Sequence, residues 1–142
     1  LTVVREVFVA SEDAGAALTL LGKLYMEQEK YEEADECYKS VLGHKGWRGF
    51  WPEALYGRGE CAMKKREYEV ASAYYERIYL MYSHYADWTA KAYLRRAECL
   101  RKAYQNEKAI EVLQEMMTVA SLKERPEYTE GETMLKKMGG AQ

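Results

Sequence analysis

Residues 18–43 read LTLLGKLYMEQEKYEEADECYKSVLG, and this stretch decides the fold. Leu18, Leu21 and Tyr25 fall at i, i+3 and i+7, one apolar stripe of a helix. A short polar turn, Glu27 to Lys30, follows. A second helix is predicted from Tyr31, with Glu32 and Glu33 in its first turn, where carboxylates suit the positive end of the helix dipole. It carries Ala34, Tyr38 and Val41 inward and stops near Gly43, a suitable C-terminal glycine.

The pattern recurs along the chain. Gly22, Gly59 and Ala97 are separated by 37 and 38 residues. Ala34, Ala71 and Ala109 keep that lag, as do Tyr38, Tyr75 and Leu113, and Val41, Ile78 and Met116. Small residues at these places let two helix axes approach closely, while the large ones fill the space around the crossing. One helix pair cannot bury its apolar stripe alone, so neighbouring pairs must stack. In the middle unit Pro52 suits a first helical turn, where its missing N–H would be unpaired anyway, and Tyr68 opens the second helix. In the third unit the helices are expected over about 87–104 and 106–119. The units span about 14–43, 52–83 and 87–119.

The flanks extend this reading. Val4 lies 37 residues before Val41, and Leu1 lies 37 before Tyr38, so residues 1–10 are expected to end an upstream second helix. The chain begins with Leu, not Met, and is expected to be a fragment or processed product with any targeting signal upstream. Residues 124–138 are expected to form a capping helix opened by Pro126, with Tyr128, Leu135 and Met138 on its inner stripe. Residues 139–142 read as a frayed tail.

These motifs resemble the tetratricopeptide repeat family. The first unit matches best, through Leu18, Leu21, Gly22, Tyr25, Tyr31, Ala34, Tyr38 and Val41. The second keeps Gly59, Tyr68, Ala71, Tyr75 and Ile78 but has Arg58 where an apolar residue is usual. The third keeps Ala97, Ala109, Leu113 and Met116. The proline that often follows the second helix is missing from all three units, and the spacing exceeds the family's usual period of about 34. That longer spacing is similar to bacterial envelope-associated members. The resemblance implies an all-α fold, a right-handed α-α superhelix (a solenoid) of three helix-turn-helix repeats plus the capping helix.

Composition limits the function. The 142 residues are 48% hydrophobic and 31% charged, a folded rather than a disordered balance. A net charge of −2 and a pI near 5.8 argue against nucleic acid as a partner. No apolar run approaches the ~20 residues that a membrane-spanning helix needs. Cys37, Cys61 and Cys99 form no CxxC and read as small buried residues; Cys61 and Cys99 are equivalent, with Leu24 in their place in the first unit. His44 and His84 sit in links without a metal-ligand motif. Gly43 to Gly49 lacks the Lys-Ser/Thr ending of a phosphate loop and reads as a flexible connector. No cofactor, metal site or catalytic constellation is expected, so the chain reads as non-catalytic.

The resemblance also implies where a partner would sit. In this family the first helices line a concave surface that holds a peptide or partner helix. Register places Lys23, Met26 and Glu27 of the first unit there. Glu53, Tyr56, Glu60, Met63 and Lys64 follow from the second unit, and Lys91, Leu94, Arg95, Glu98, Arg101 and Lys102 from the third. Met26, Tyr56, Met63 and Leu94 are expected to supply affinity, and Lys91 and Arg95 to steer an acidic ligand segment. The alternative is a solvated face whose Glu98 and basic neighbours pair with each other. Lys91 and Arg95 match two cations of a chaperone-tail carboxylate clamp, but its asparagines are absent.

Trp47, Phe50 and Trp51 cluster in the first link and carry two readings: they cover the repeat junction, or they offer an aromatic contact. The expected function is a protein-interaction scaffold in a larger bacterial protein, periplasmic, cell-envelope or cytoplasmic. The alternatives are a self-association module forming a homo-oligomer, and the accessory domain of a larger enzyme.

Overall fold

The computed structural model describes residues 12–139. Seven α-helices follow one another among them: α1 (Glu12–Glu27), α2 (Tyr31–Leu42), α3 (Trp51–Lys64), α4 (Tyr68–Met81), α5 (Ala86–Lys102), α6 (Asn106–Met117) and α7 (Pro126–Lys137). The expected upstream helix of residues 1–10 lies outside the described residues.

Amphipathic spacing explains the second helix of each unit. In α2, Ala34, Cys37, Tyr38 and Val41 are buried; in α6, Ala109, Val112, Leu113 and Met116 repeat that pattern. Acidic first turns accompany it, with Glu32 and Glu33 in α2, Glu69 in α4 and Glu107 in α6. In the first helices the small residues make room for aromatic rings. A Cβ on Gly22 would meet Tyr38 Cε1 at 2.8 Å, and one on Gly59 would meet Tyr75 Cε1 at 2.6 Å. The same Tyr38 ring also presses on Gly57 of the next unit. One buried ring thus serves two units.

The turn inside each unit is built identically. Glu29, Arg66 and Tyr104, spaced 37 and 38 residues apart, have φ of 61°, 62° and 62°. Each is followed by a residue whose N–H reaches five residues back: Lys30 to the Tyr25 carbonyl at 2.9 Å, Glu67 to Ala62 at 2.9 Å, and Gln105 to Leu100 at 2.8 Å. This bond closes a helix C-terminus that turns through a left-handed residue. Glycine is the usual choice there, since other residues face a cost of about 1–2 kcal/mol. All three units use another residue.

The link between α2 and α3 is not the flexible connector expected. Lys45–Phe50 forms 3₁₀ turns interrupted at Trp47 (φ −111°, ψ 26°), and Trp47 is buried. Its ring lies over Gly15 and stacks on His44, with centroids 4.0 Å apart. His44 accepts the Gly46 N–H through Nδ1 at 3.1 Å, so it too is part of the turn. A large aromatic with room beneath it turns a glycine-rich segment into a packed one.

Consecutive helices pack pairwise, and each first helix also touches the next: α1 with α3, α3 with α5, and α5 with α7. The first helices therefore form one continuous wall. Polar ties reach back from that wall to the preceding unit. Arg58 of α3 donates to both carboxylate oxygens of Asp35 (2.9 and 3.2 Å). Arg96, 38 residues on, donates to Ser72 Oγ at 2.9 Å and to the Tyr79 hydroxyl at 2.6 Å. These ties account for Arg58 at a position the repeat pattern usually gives to an apolar residue. Leu21 holds the equivalent place in α1, next to Leu20 and Leu24, which are 56% and 44% exposed. Leu24, the counterpart of buried Cys61 and Cys99, is thus not covered. At the other end α7 buries Gly131 and Leu135 and turns Lys136 and Lys137 outward.

Candidate functional site

The wall of first helices holds two adjoining hollows. The larger, about 340 Å³, lies between α1, α3 and α5. Lys23, Met26 and Glu27 come from α1, Glu53, Tyr56, Gly57 and Glu60 from α3, and Trp88 and Lys91 from α5; Tyr38 of α2 forms the floor. Because residue 57 has no side chain, the Tyr38 ring can press directly on the α3 backbone and form that floor. The smaller hollow, about 220 Å³, shares Tyr56 and Lys91 and continues past Leu94, Arg95 and Glu98 to Glu127 and Glu130 of α7.

Most of the residues read from the sequence as groove residues therefore meet. Lys23, Met26, Glu27, Tyr56, Glu60 and Lys91 share the first hollow, and Leu94, Arg95 and Glu98 border the second. Met63 does not take part: it is buried in the core with Tyr75, Ile78 and Ala92. Lys64 and Lys102 are exposed and line neither hollow. Leu94, at the hollow's edge, is only 6% exposed, too little for a main anchor.

The cations have partners within the chain. Arg95 grips Glu60 with Nε and Nη2 at 2.8 and 3.0 Å and holds Glu98 with Nη1 at 2.8 Å. The Tyr75 hydroxyl donates to the same Glu60 at 2.5 Å. Lys91 donates to Glu127 Oε2 at 3.0 Å. Burial opposes ionisation of Glu127, but the Lys91 hydrogen bond and the Arg125 charge nearby hold its carboxyl below the usual range. Hence Lys91 and Arg95 bind α5 to its neighbours on both sides. The acidic-ligand reading is corrected: an incoming carboxylate would have to displace these intramolecular ones.

Glu53 behaves differently. It is half-buried at the start of α3, and no hydrogen bond or ion pair reaches its carboxylate among the described residues. Burial raises its pKa, and the Lys23 charge offsets this only in part. Tyr56 and Trp88 stand beside it with ring centroids 5.5 Å apart and planes at 51°. Trp88 was not among the candidates read from the sequence, because it sits in the first turn of α5 and crosses to α3 from the next unit. Glu127 and Glu130 were missed because the last helix read only as a cap.

The aromatic link does not supply the contact surface considered. Trp47 is buried, the Trp51 indole N–H donates to the Val41 carbonyl at 2.9 Å, and Phe50 packs against the first core cluster. All three fasten the junction of the first two units. The three cysteines are free and buried, and burial pushes their thiols up, to about 11 for Cys37 and Cys99 and about 12 for Cys61. Among the described residues no cluster of His, Cys, Asp and Glu is placed to hold a metal ion, and no helix is long and apolar enough to cross a membrane.

Stacked helix pairs with a continuous wall of first helices define an α-solenoid whose accessible hollows lie along that wall. Models of the tetratricopeptide repeat match residues 19–88 and 91–118. The chain belongs to the tetratricopeptide repeat family, and such repeats serve as protein–protein interaction scaffolds. No curated protein matches the chain.

Proposed function

We propose that the chain is a non-catalytic scaffold that holds an extended partner segment along its first-helix wall. One observation carries this reading: two hollows that share Tyr56 and Lys91 run across α1, α3, α5 and α7, a path suited to a chain segment rather than a compact small molecule. Half-buried aromatics at the centre of such a path provide contact area at little entropic cost. A bacterial setting within a larger protein is part of the proposal, supported by the 37- and 38-residue spacing.

Selection of random peptides displayed on phage tests the reading. Enriched peptides should bind the protein and lose binding to a Trp88→Ala variant that still melts cooperatively. Failure to enrich any peptide, or enrichment indifferent to Trp88, would remove the groove as the binding surface. Self-association retains one structural support, the exposed Leu20 and Leu24 face of α1. Molar mass that rises with concentration, and falls back in a Leu20→Asp variant, would favour it.

A further inference from the structure

We infer that the hollow between α1, α3 and α5 receives a cationic side chain, arginine or lysine, of a basic partner segment, with Glu53 as the specificity-determining carboxylate and the packed Tyr56–Trp88 pair as its aromatic side. The inference rests on the groove reading above and names the chemistry of its occupant.

Three observations combine. The first is shape. Tyr56 and Trp88 come from different units and pack on each other as a tilted pair, centroids 5.5 Å apart and planes at 51°, making one continuous aromatic side of the hollow beside the Tyr38 floor. A cation near such ring faces is drawn by their negative π clouds, and an arginine plane can also stack on them. The second is charge. Glu60 is already gripped by Arg95, and Lys91 by Glu127. Glu27, Glu53 and Lys23 remain in this hollow, one negative charge in excess. The adjoining hollow adds Glu98, Glu127 and Glu130 against Lys91 and Arg95, so the sign persists along the wall.

The third is unmet hydrogen-bonding capacity. The half-buried Glu53 carboxylate has no donor among the described residues. Buried carboxylate oxygens are stabilised by donors, and lysine and arginine bring donors and charge together. A neutral apolar side chain could fill the space but would leave Glu53 unpaired. An acidic one would add a like charge beside it.

Fluorescein-labelled decapeptide pools with two central positions fixed as Arg, Leu or Glu, and the rest randomised, provide the test by fluorescence anisotropy. The Arg pool should bind about fivefold or more tighter than the Leu pool, with the Glu pool weakest. Glu53→Gln keeps the side-chain shape and should erase most of that preference. Glu111→Gln, which removes an exposed charge on α6 away from both hollows, should preserve it. If the Leu or Glu pool binds as tightly as the Arg pool and depends on Trp88, the groove reading stands and this inference fails. Equal losses from Glu53→Gln and Glu111→Gln would reduce the preference to overall charge and overturn the role of Glu53. Should no pool bind, or binding ignore Trp88→Ala, the groove reading falls and this inference with it.

Discussion

Gly57→Ala tests how consecutive units interlock. Helix propensity alone favours alanine here by about 1 kcal/mol. Packing opposes it. A Cβ on residue 57 would lie closer than 3.0 Å to Cε2, Cζ and Cδ2 of Tyr38. The ring has nowhere to go, because its opposite edge already faces Gly22 and the residue is 2% exposed. Overfilling a packed site costs about 1–3 kcal/mol, and a ring held on both edges belongs at the upper end. The net expectation is a loss of about 2 kcal/mol, which for this chain length lowers Tm by roughly 6–8 °C.

Thermal unfolding by circular dichroism would measure this on the wild type, Gly57→Ala, Tyr38→Leu and the double variant. Tyr38→Leu itself costs about 2 kcal/mol for the lost ring atoms and the gap they leave. It also removes the obstacle, so on that background Gly57→Ala should become stabilising by about 1 kcal/mol. The reversal is a coupling of about 3 kcal/mol, within the range for residues in direct contact. A Gly57→Ala protein that melts above the wild type, or the same shift in both backgrounds, would refute the interlock.

Other perturbations follow from the same geometry. The raised thiols of Cys37, Cys61 and Cys99 should resist iodoacetamide at pH 8 until the chain unfolds; their stabilising effect is complete below about pH 9 and declines as pH rises toward 11–12, so denaturant midpoints should fall over that window. Arg95→Lys should recover little of the ~1–2 kcal/mol lost in Arg95→Ala, since one ammonium cannot reproduce the paired grip on Glu60; equal urea midpoints for Arg95→Lys and wild type would contradict this. Glu127 has a lowered pKa, so its contribution is present above the unfolded value and lost as pH falls through the folded one; Glu127→Gln should be less stable than the wild type at pH 7, with the difference vanishing in acid melts. Trp51→Ala should cost about 2 kcal/mol and leave the light-scattering molar mass unchanged, because its indole serves the chain's own Val41 carbonyl.

Repeats and helices were legible because they rest on periodicity. Gly22 with Tyr38, and Gly59 with Tyr75, announce close crossings through residue size alone. The 3₁₀ link was not legible, since its order depends on Trp47 finding the gap above Gly15, about thirty residues earlier. Which first-helix residues line the hollows was largely readable from register, but their ion pairs were not. Sequence lists Lys91 and Arg95 as cations; only the fold brings Glu127 and Glu60 to them across 36 and 35 residues. Trp88 was hidden for the same reason: a wall of one unit's hollow is supplied by the next unit. Residues that act within a helix pair are readable from one repeat, whereas those that act between pairs need the stack.

The three left-handed turn residues have a practical consequence. The bend at Glu29, Arg66 and Tyr104 is held by backbone bonds, so the side chain at each apex is free to change; Tyr104 is 94% exposed. A cysteine carrying a dye or spin label would meet the same backbone cost as the residue it replaces, with its reactive thiol in solvent while the native three stay buried. Pairs of such labels would form a ruler of repeat-spaced marks. Read with and without peptide, it would report whether filling the groove straightens or tightens the array.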